Sequence, residues 1–482
     1  MPVSRHACRR LRVAAAGAAF LMSTAPAQAA AEGAPHLDGS QLGLGWIIPF
    51  IGILLSIALF PLVRPQFWHH HFGKVAAFWG LAFLLPFAAI HGVDLALYEV
   101  LTVALTEYLP FIILLASLFV VAGGVRLKGT LVGTPAVNLG ILAIGTAIAS
   151  WMGTTGACML LIRPLLRANE NRRYRVHTVV FFIFLVGNIG GALTPLGDPP
   201  LFLGFLQGVS FFWPTQHLLL PMLVCSVVLL ALYLVIDIAL FRREHGLREV
   251  PPEPRVPFGL EGGVNLLLLA GIVGAVLLSG VWKPGVELTV YHVPVALENL
   301  ARDLALLAII GLSWVLTSQD SRRLNDFNWF PIIEVGKLFA AIFVTIVPAI
   351  AILRAGRDGA LAPLVDLVGG TGAPNNLAYF WLTGALSSFL DNAPTYLVFF
   401  NMAGADAQHL MGPLATTLGA ISAGAVFMGA NTYIGNAPNF MVRSIAQERG
   451  VAMPSFFGYM AWSCGILLPL FVLVSLLFYA GA

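Results

Sequence analysis

Charge is what this sequence lacks. Asp, Glu, Lys and Arg make up 10% of its 482 residues, against about 25% in an ordinary soluble domain. A soluble protein of this length would have to show water far more charge, so a water-soluble fold is excluded. Cysteine is scarce as well. Of the four present, Cys8 falls in a leader-like segment. Cys158, Cys225 and Cys464 stand alone in apolar stretches, without the CxxC or Cys/His spacing of a zinc or redox site. They read as small buried hydrophobes. Walker A loop, nucleophile triad and dinucleotide fingerprint are all missing. Neither an ATP-driven motor nor an enzyme is therefore expected, and nothing calls for a cofactor. The basic loops read as topology signals rather than a nucleic-acid surface.

What the chain has in abundance is apolar length. It is 58% hydrophobic, with a mean hydropathy of +0.86. A spanning helix needs about 20 mostly apolar residues. Such stretches lie near 44–63, 75–93, 98–122, 176–207, 217–241, 263–282, 300–317, 330–353, 412–442 and 456–479. Two more, 130–166 and 376–403, are interrupted by Gly, Pro or polar residues. The 49 Gly and 30 Pro suit close helix contacts and broken helices. The expected fold class is an all-α polytopic membrane protein.

Residues 1–29 read as a signal peptide. Arg5, Arg9, Arg10 and Arg12 precede the apolar run 13–22, and Ala27-Gln28-Ala29 offers a cleavage site. An uncleaved short helix is the alternative. A signal followed by spans points to a bacterial inner membrane. Positive charge on the inner side then sets the topology. Arg64, Lys74, Arg126, Lys128 and the basic stretch 163–177 fall inside, so 130–166 enters from the cytoplasm and returns to it. Arg242, Arg243, Arg248 and Arg255 mark an inner connecting loop, 242–258. Segment 376–403 becomes a hairpin opening to the periplasm. Arg354 and Arg357 break the rule.

The two halves share a signal. Residues 191–202 read GALTPLGDPPLF and residues 429–440 read GANTYIGNAPNF, alike at six of twelve positions without gaps. The same offset, 238 residues, superposes the hairpin tip at Ser150 on that at Ser388, and span 217–241 on the last span. Each half, 30–258 and 259–482, carries five spans and one hairpin. Five is odd, so the second half is inverted. Inverted repeats mark secondary transporters, with the site near the midplane at the repeat interface.

The polar breaks carry the candidate chemistry. Asp198, at mid-membrane depth among Gly and Pro, is costly unless paired or ion-bound; capping a broken helix is the alternative. Asn188 and Thr194 belong to the same break. In the second break Asn431, Thr432 and Asn436 supply neutral oxygens or caps. The outer hairpin offers Ser388, Asp391 and Asn392, with Asp391 a candidate cap for the half-helix that Pro394 opens. The inner hairpin offers Ser150 and Thr154 but no acid. Carboxylate, amide and hydroxyl oxygens suit a hard cation such as Na+; Asp198 and Asp391 are its expected acidic ligands. No Lys or Arg lies in the four motifs to meet an anion. Elsewhere, Asp94, Glu99 and Glu107 are expected at or near the outer end of the third span, Glu334 and Lys337 as an i,i+3 pair, and His69, His70 and His71 at the cytoplasmic surface.

At these motifs the sequence resembles the ion-transporter superfamily: NhaD-type sodium/proton antiporters, CitMHS-type citrate transporters and ArsB-type permeases. The likeness spans nearly the whole mature chain and is strongest over residues 188–198, NIGGALTPLGD, and at Asp391-Asn392. It implies two scaffold and two transport domains, elevator-type alternating access and a homodimer exchanging Na+ for H+. One departure stands out. NhaD-type proteins carry Asp-Asn in the first hairpin, where this chain has Gly153-Thr154, and Pro199-Pro200 replaces their Thr-Thr. A carboxylate is thus missing, and cation-coupled transport of citrate or a dicarboxylate stays open as the alternative.

Overall fold

The computed structural model describes residues 35–244, 257, 259–369 and 373–480, together with a two-residue strand at Met22–Ser23. The rest of the expected signal peptide, and Arg248 and Arg255 of the connecting loop, lie outside the described residues.

The protein is an all-α polytopic membrane protein. Among the described residues nine helices are long and apolar enough to cross a membrane. In chain order the helices are α1 (Leu44–Val63), α2 (Pro65–His91), α3 (Val93–Ala122), α4 (Pro135–Met152), α5 (Thr154–Ala168), α6 (Val176–Leu185), α7 (Pro199–Leu206), α8 (Trp213–Arg243), α9 (Val264–Val281), α10 (Leu297–Leu316), α11 (Gln319–Leu324), α12 (Phe330–Arg354), α13 (Ala362–Leu367), α14 (Asn376–Phe389), α15 (Asn392–Met402), α16 (Ala407–Met411), α17 (Ala415–Met428), α18 (Ala437–Glu448) and α19 (Phe456–Phe478). One order occurs twice: three long helices, a helical hairpin, a broken helix and a final long helix. The hairpins are α4–α5 and α14–α15; the broken helices are α6–α7 and α17–α18.

Local chemistry sets these elements. Thr134 caps α4, accepting from Val137 N, and Pro135 fills the first turn, where a missing N–H costs nothing. The hairpin turns at Gly153, whose φ of +79° is a conformation that glycine adopts without strain. Asn375 caps α14 and Asp391 caps α15. The first halves of both broken helices, and the breaks themselves, sit inside the protein. Helix α6 is buried from His177 to Leu185, as is α17 from Thr417 to Met428. Backbone groups freed at the breaks therefore meet protein rather than lipid, the condition under which a membrane tolerates them.

The helices pack in two groups. The three long helices of each half, α1–α3 with α9, α10 and α12, pack on one another. The hairpins, broken helices and final helices form the second group, in which α7 packs on α15 and α5 on α18. Two short strands, Arg126–Lys128 and Gly259–Glu261, pair antiparallel and tie the end of α3 to the start of α9. Glu261 accepts from Arg126 at 3.0 Å and from Lys128 at 3.2 Å. Those two cations, Lys128 foremost, hold its carboxyl below the usual range.

Several sequence expectations need correction. Helix α2 starts at Pro65 rather than near 75, because Pro65 opens a helix whose first turns carry the His cluster. Glu334 and Lys337 do not pair; Glu334 accepts from Trp68 Nε1 at 3.0 Å, and Lys337 lies over the Phe72 ring. Each finds its partner on α2 instead of along its own helix. Glu107 is not terminal but lies in a π-helical turn, Ala104–Tyr108, inside α3, accepting from Gln207 at 3.1 Å. Cys158 and Cys225 are buried as expected, whereas Cys464 is exposed.

Candidate functional site

Between α6 and α7 the chain unwinds through residues 186–198, with one 3-10 turn at Ile189–Gly191. Pro199 and Pro200 open α7 and bring no N–H groups to be capped. The Asp198 side chain makes no capping bond, so the capping alternative fails for it. Its carboxylate is 2% exposed and gathers three neutral donors. Thr154 Oγ1 and Asn436 Nδ2 donate to Oδ1 at 3.1 and 3.0 Å. Asn392 Nδ2 donates to Oδ2 at 2.5 Å. Among the described residues no Lys, Arg or His forms an ion pair with it. Both hairpin tips and both breaks thus converge on one carboxylate. A charge with this little compensation is an expensive thing to bury.

The neighbouring amides differ in freedom. Asn436 Nδ2 also donates to Gly187 O and Asn188 Oδ1, each at 3.2 Å. Asn188 Nδ2 donates to Ile183 O at 2.8 Å and to Asn439 Oδ1 at 2.7 Å. Backbone carbonyls thus fix the Asn436 amide with its NH2 toward Asp198, and the Asn188 amide with its Oδ1 toward Asn436. Asn392 is not so held, and its Oδ1 is buried without a partner, as is Asn431 Oδ1. Asp391 acts as the cap considered for it, accepting from Ala393 N at 3.0 Å.

Asp198, Asp391, Thr154 and Asn436 line a cavity of about 110 Å³. Its polar wall comes from the tips and breaks. Its apolar wall comes from Leu114, Leu118 and Phe119 of α3 and from Ile332, Val335 and Phe339 of α12. No Lys, Arg or His lies among the lining residues. Among the described residues no cluster of three or more His, Cys, Asp or Glu gathers for a metal ion.

The remaining candidates hold the tips to the breaks. Thr194 Oγ1 donates to Ser150 O, and Thr432 Oγ1 to Ser388 O. Ser150 Oγ donates to Gly190 O, and Ser388 Oγ to Met428 O. Leu196 N reaches Thr194 Oγ1, and Ile434 N reaches Thr432 Oγ1, both at 3.2 Å. Each of these three first-half bonds recurs in the second half at the offset of 238 residues. Gly197 and Gly435, also at that offset, lie so close to Gly191 O and Gly429 O that neither has room for a side chain.

Two features escaped the sequence reading. Asn439 lies inside the second motif, and its place among the site amides follows only from the fold. The other is a buried cluster away from the cavity. Arg172 bonds Asp237 at 2.7 Å and Glu244 at 2.8 Å, and His177 bonds Asp237 at 2.9 Å. Its signal was available, because Asp237 is a lone acid near the end of an apolar span.

A family model, CitMHS_2, described as "Putative citrate transport", matches residues 39–479. No curated protein matches the chain.

Proposed function

The chain belongs to the CitMHS_2 family and is a membrane transporter, and from that premise we propose that it exchanges Na+ for H+ at Asp198. One observation carries the reading: a buried carboxylate with no cationic partner, held by three neutral side chains beside a cavity that lacks Lys and Arg. Apolar surroundings favour the neutral form of a carboxyl group, so a proton or a bound Na+ can each supply the missing compensation. Competition for the same oxygens couples the two ions. Asn392, free to turn its Oδ1, Thr154 and Asp391 complete the ion's surroundings, while Asn188, Asn431 and Asn436 frame them. Ser150, Ser388, Thr194 and Thr432 keep each tip on its break.

Exchange also needs the site to face each side in turn. Two inverted repeats, 30–258 and 259–482, provide two opposite routes to one site. The recurrence of bonds at one offset supports this division, as does the crossed packing of α7 on α15 and α5 on α18. In the proposed motion the hairpins and broken helices move as a body against α3 and α12, elevator fashion, within a homodimer of the bacterial inner membrane.

The family description favours a second reading, cation-coupled transport of citrate or a dicarboxylate. Reconstitution in liposomes with an internal pH dye separates the two. Proton movement that needs a Na+ gradient, needs no carboxylate and vanishes in Asp198→Asn is the expected result. Movement only after citrate or a dicarboxylate is added would replace antiport with the second reading.

A further inference from the structure

Beyond their breaks, the two broken helices meet the long helices differently. Helix α7 is docked. Phe202 is 1% exposed, and the Arg302 guanidinium of α10 lies 5.9 Å from its ring centre. The Phe205 ring lies against α9, where a Cβ on Gly280 would come within 3.3 Å of it. Gln207, just past the end of α7, donates to Glu107 of α3 at 3.1 Å. Helix α18, the counterpart at the 238-residue offset, differs at each point. Phe440, which matches Phe202, is 42% exposed. Arg443, which matches Phe205, lies over Tyr433 of its own group. Met441 lines the cavity beside Asp198, whereas its match, Leu203, is buried and does not.

The cavity therefore lies to one side of Asp198. Its lining residues on α3 begin at Leu114, and those on α12 end at Phe339. These are the helix ends next to Arg126 and to Arg322 and Arg323, and positive charge marks that side as the inner one. On the outer side α7 fills the matching space for about 12 Å, the length of its eight residues, up to Gln207.

The bond from Gln207 to Glu107 joins the group proposed to move to the group proposed to stay, and the inner side cannot make its equivalent. Glu107 sits in the π-helical turn of α3, a distortion that often marks a functional position. Its second carboxyl oxygen is buried without a partner. The matching residues are Thr345, whose hydroxyl donates to Ala341 O of its own helix, and Ile445, which has nothing to donate. The bonds from Arg163 to Asp326 and from Arg354 to Asn401 tie α5 and α15 to the long-helix group at the inner and outer ends alike, so they favour neither side. We propose that the bond from Gln207 to Glu107 is a latch that shuts the outer route to Asp198 and makes the inward-open state the resting one.

This inference rests on the alternating movement proposed above, not on which ion moves. Right-side-out and inside-out membrane vesicles holding the full-length protein with Cys8→Ser and Cys464→Ser are treated with a membrane-impermeant maleimide, without an ion gradient. Leu203→Cys should label slowly from the outside and Met441→Cys readily from the inside. Adding Gln207→Leu or Glu107→Leu should speed labelling of Leu203→Cys at least about tenfold, the loss of one bond to a charged group, without speeding that of Met441→Cys. Glu107→Gln, which keeps an oxygen for Gln207, should speed it much less. Unchanged labelling at position 203 in both Leu variants overturns the latch. Faster labelling at 203 and 441 together, as a loosened fold would give, overturns it as well. Absence of Na+-driven proton movement in liposomes, with the labelling as expected, would overturn the exchange reading and leave the latch standing.

Discussion

Replacing Asp198 by Asn should abolish ion exchange without harming the fold, and the structure says why the two effects separate. A Na+ about 3 Å from a carboxylate is attracted by about 5 kcal/mol at an effective dielectric near 20. Losing that attraction weakens binding by roughly three to four powers of ten. The variant also has no group to carry the exchanged proton. The fold is spared because the neighbours can adapt. An amide at 198 can keep its oxygen toward Asn436, whose orientation Gly187 O and Asn188 Oδ1 fix. Its NH2 then faces Asn392, whose unpartnered Oδ1 can turn to accept. Charge-assisted bonds worth about 1.5–3 kcal/mol become neutral ones worth about 1 kcal/mol. Removing an uncompensated buried charge, which costs several kcal/mol, offsets the loss. The thermal midpoint should therefore hold or rise, read by fluorescence of purified protein, while Na+-driven proton movement in liposomes disappears. Exchange at the wild-type rate would refute the role of Asp198. A variant that no longer folds would refute the account of its neighbours.

Gly197→Ala would drive a Cβ into Gly191 O, a backbone atom that cannot step aside; a loss of about 1–3 kcal/mol should lower the thermal midpoint, and a neutral result would rule out the close approach at the break. Arg172→Ala leaves Asp237 and Glu244 buried without their cation and should cost about 3–5 kcal/mol in a thermal melt, whereas a small change would mean the cluster is hydrated. Glu261 has its folded carboxyl held below the ordinary value of 4.5 by Lys128 and Arg126, so the stability it lends the strand pair is complete above that pH and is lost as pH falls through the folded value. Protection of the amides at 126–128 and 259–261, exchange taken relative to the unfolded chain at the same pH, should stay flat from neutral pH down to mild acid and fall in Glu261→Gln; a change near neutral pH would contradict this.

The spans were legible because lipid imposes a length and a polarity on every helix, and the breaks were legible because Gly, Pro and Asp cannot lie together in a lipid-facing one. The start of α2 was missed because its first turns carry Gln66 and the His cluster, which look like a loop to a hydropathy reading but form a helix in the structure. Pair partners were the least legible. Glu334 was assigned to Lys337 by spacing, yet its partner is Trp68, 266 residues away in sequence. The same holds at the site. That Asp198, Thr154, Asn392 and Asn436 belong together follows from the packing of two tips on two breaks, which no local pattern encodes. The repeat offset was the only long-range signal in the sequence, and Asn436 is linked to Asp198 across that same offset of 238 residues.

That contact explains why the halves had to diverge. On the proposed duplication, residues 198 and 436 face each other across the pseudo-symmetry axis. Two aspartates there would repel unless they shared a proton. Two asparagines would leave nothing to bind a cation. An aspartate facing an asparagine is the combination in which a donor meets an acceptor and one charge remains. The same logic runs through the other offset pairs. Positions that match, Ser150 with Ser388, Thr194 with Thr432 and Gly197 with Gly435, make the same bonds or close approach in both halves and hold each hairpin tip to its break. Positions that differ, Thr154 with Asn392 and Asp198 with Asn436, meet at the buried carboxylate. On the proposed exchange reading, symmetry supplies the two-sided machinery, and the departures from it leave a single charge where the halves meet.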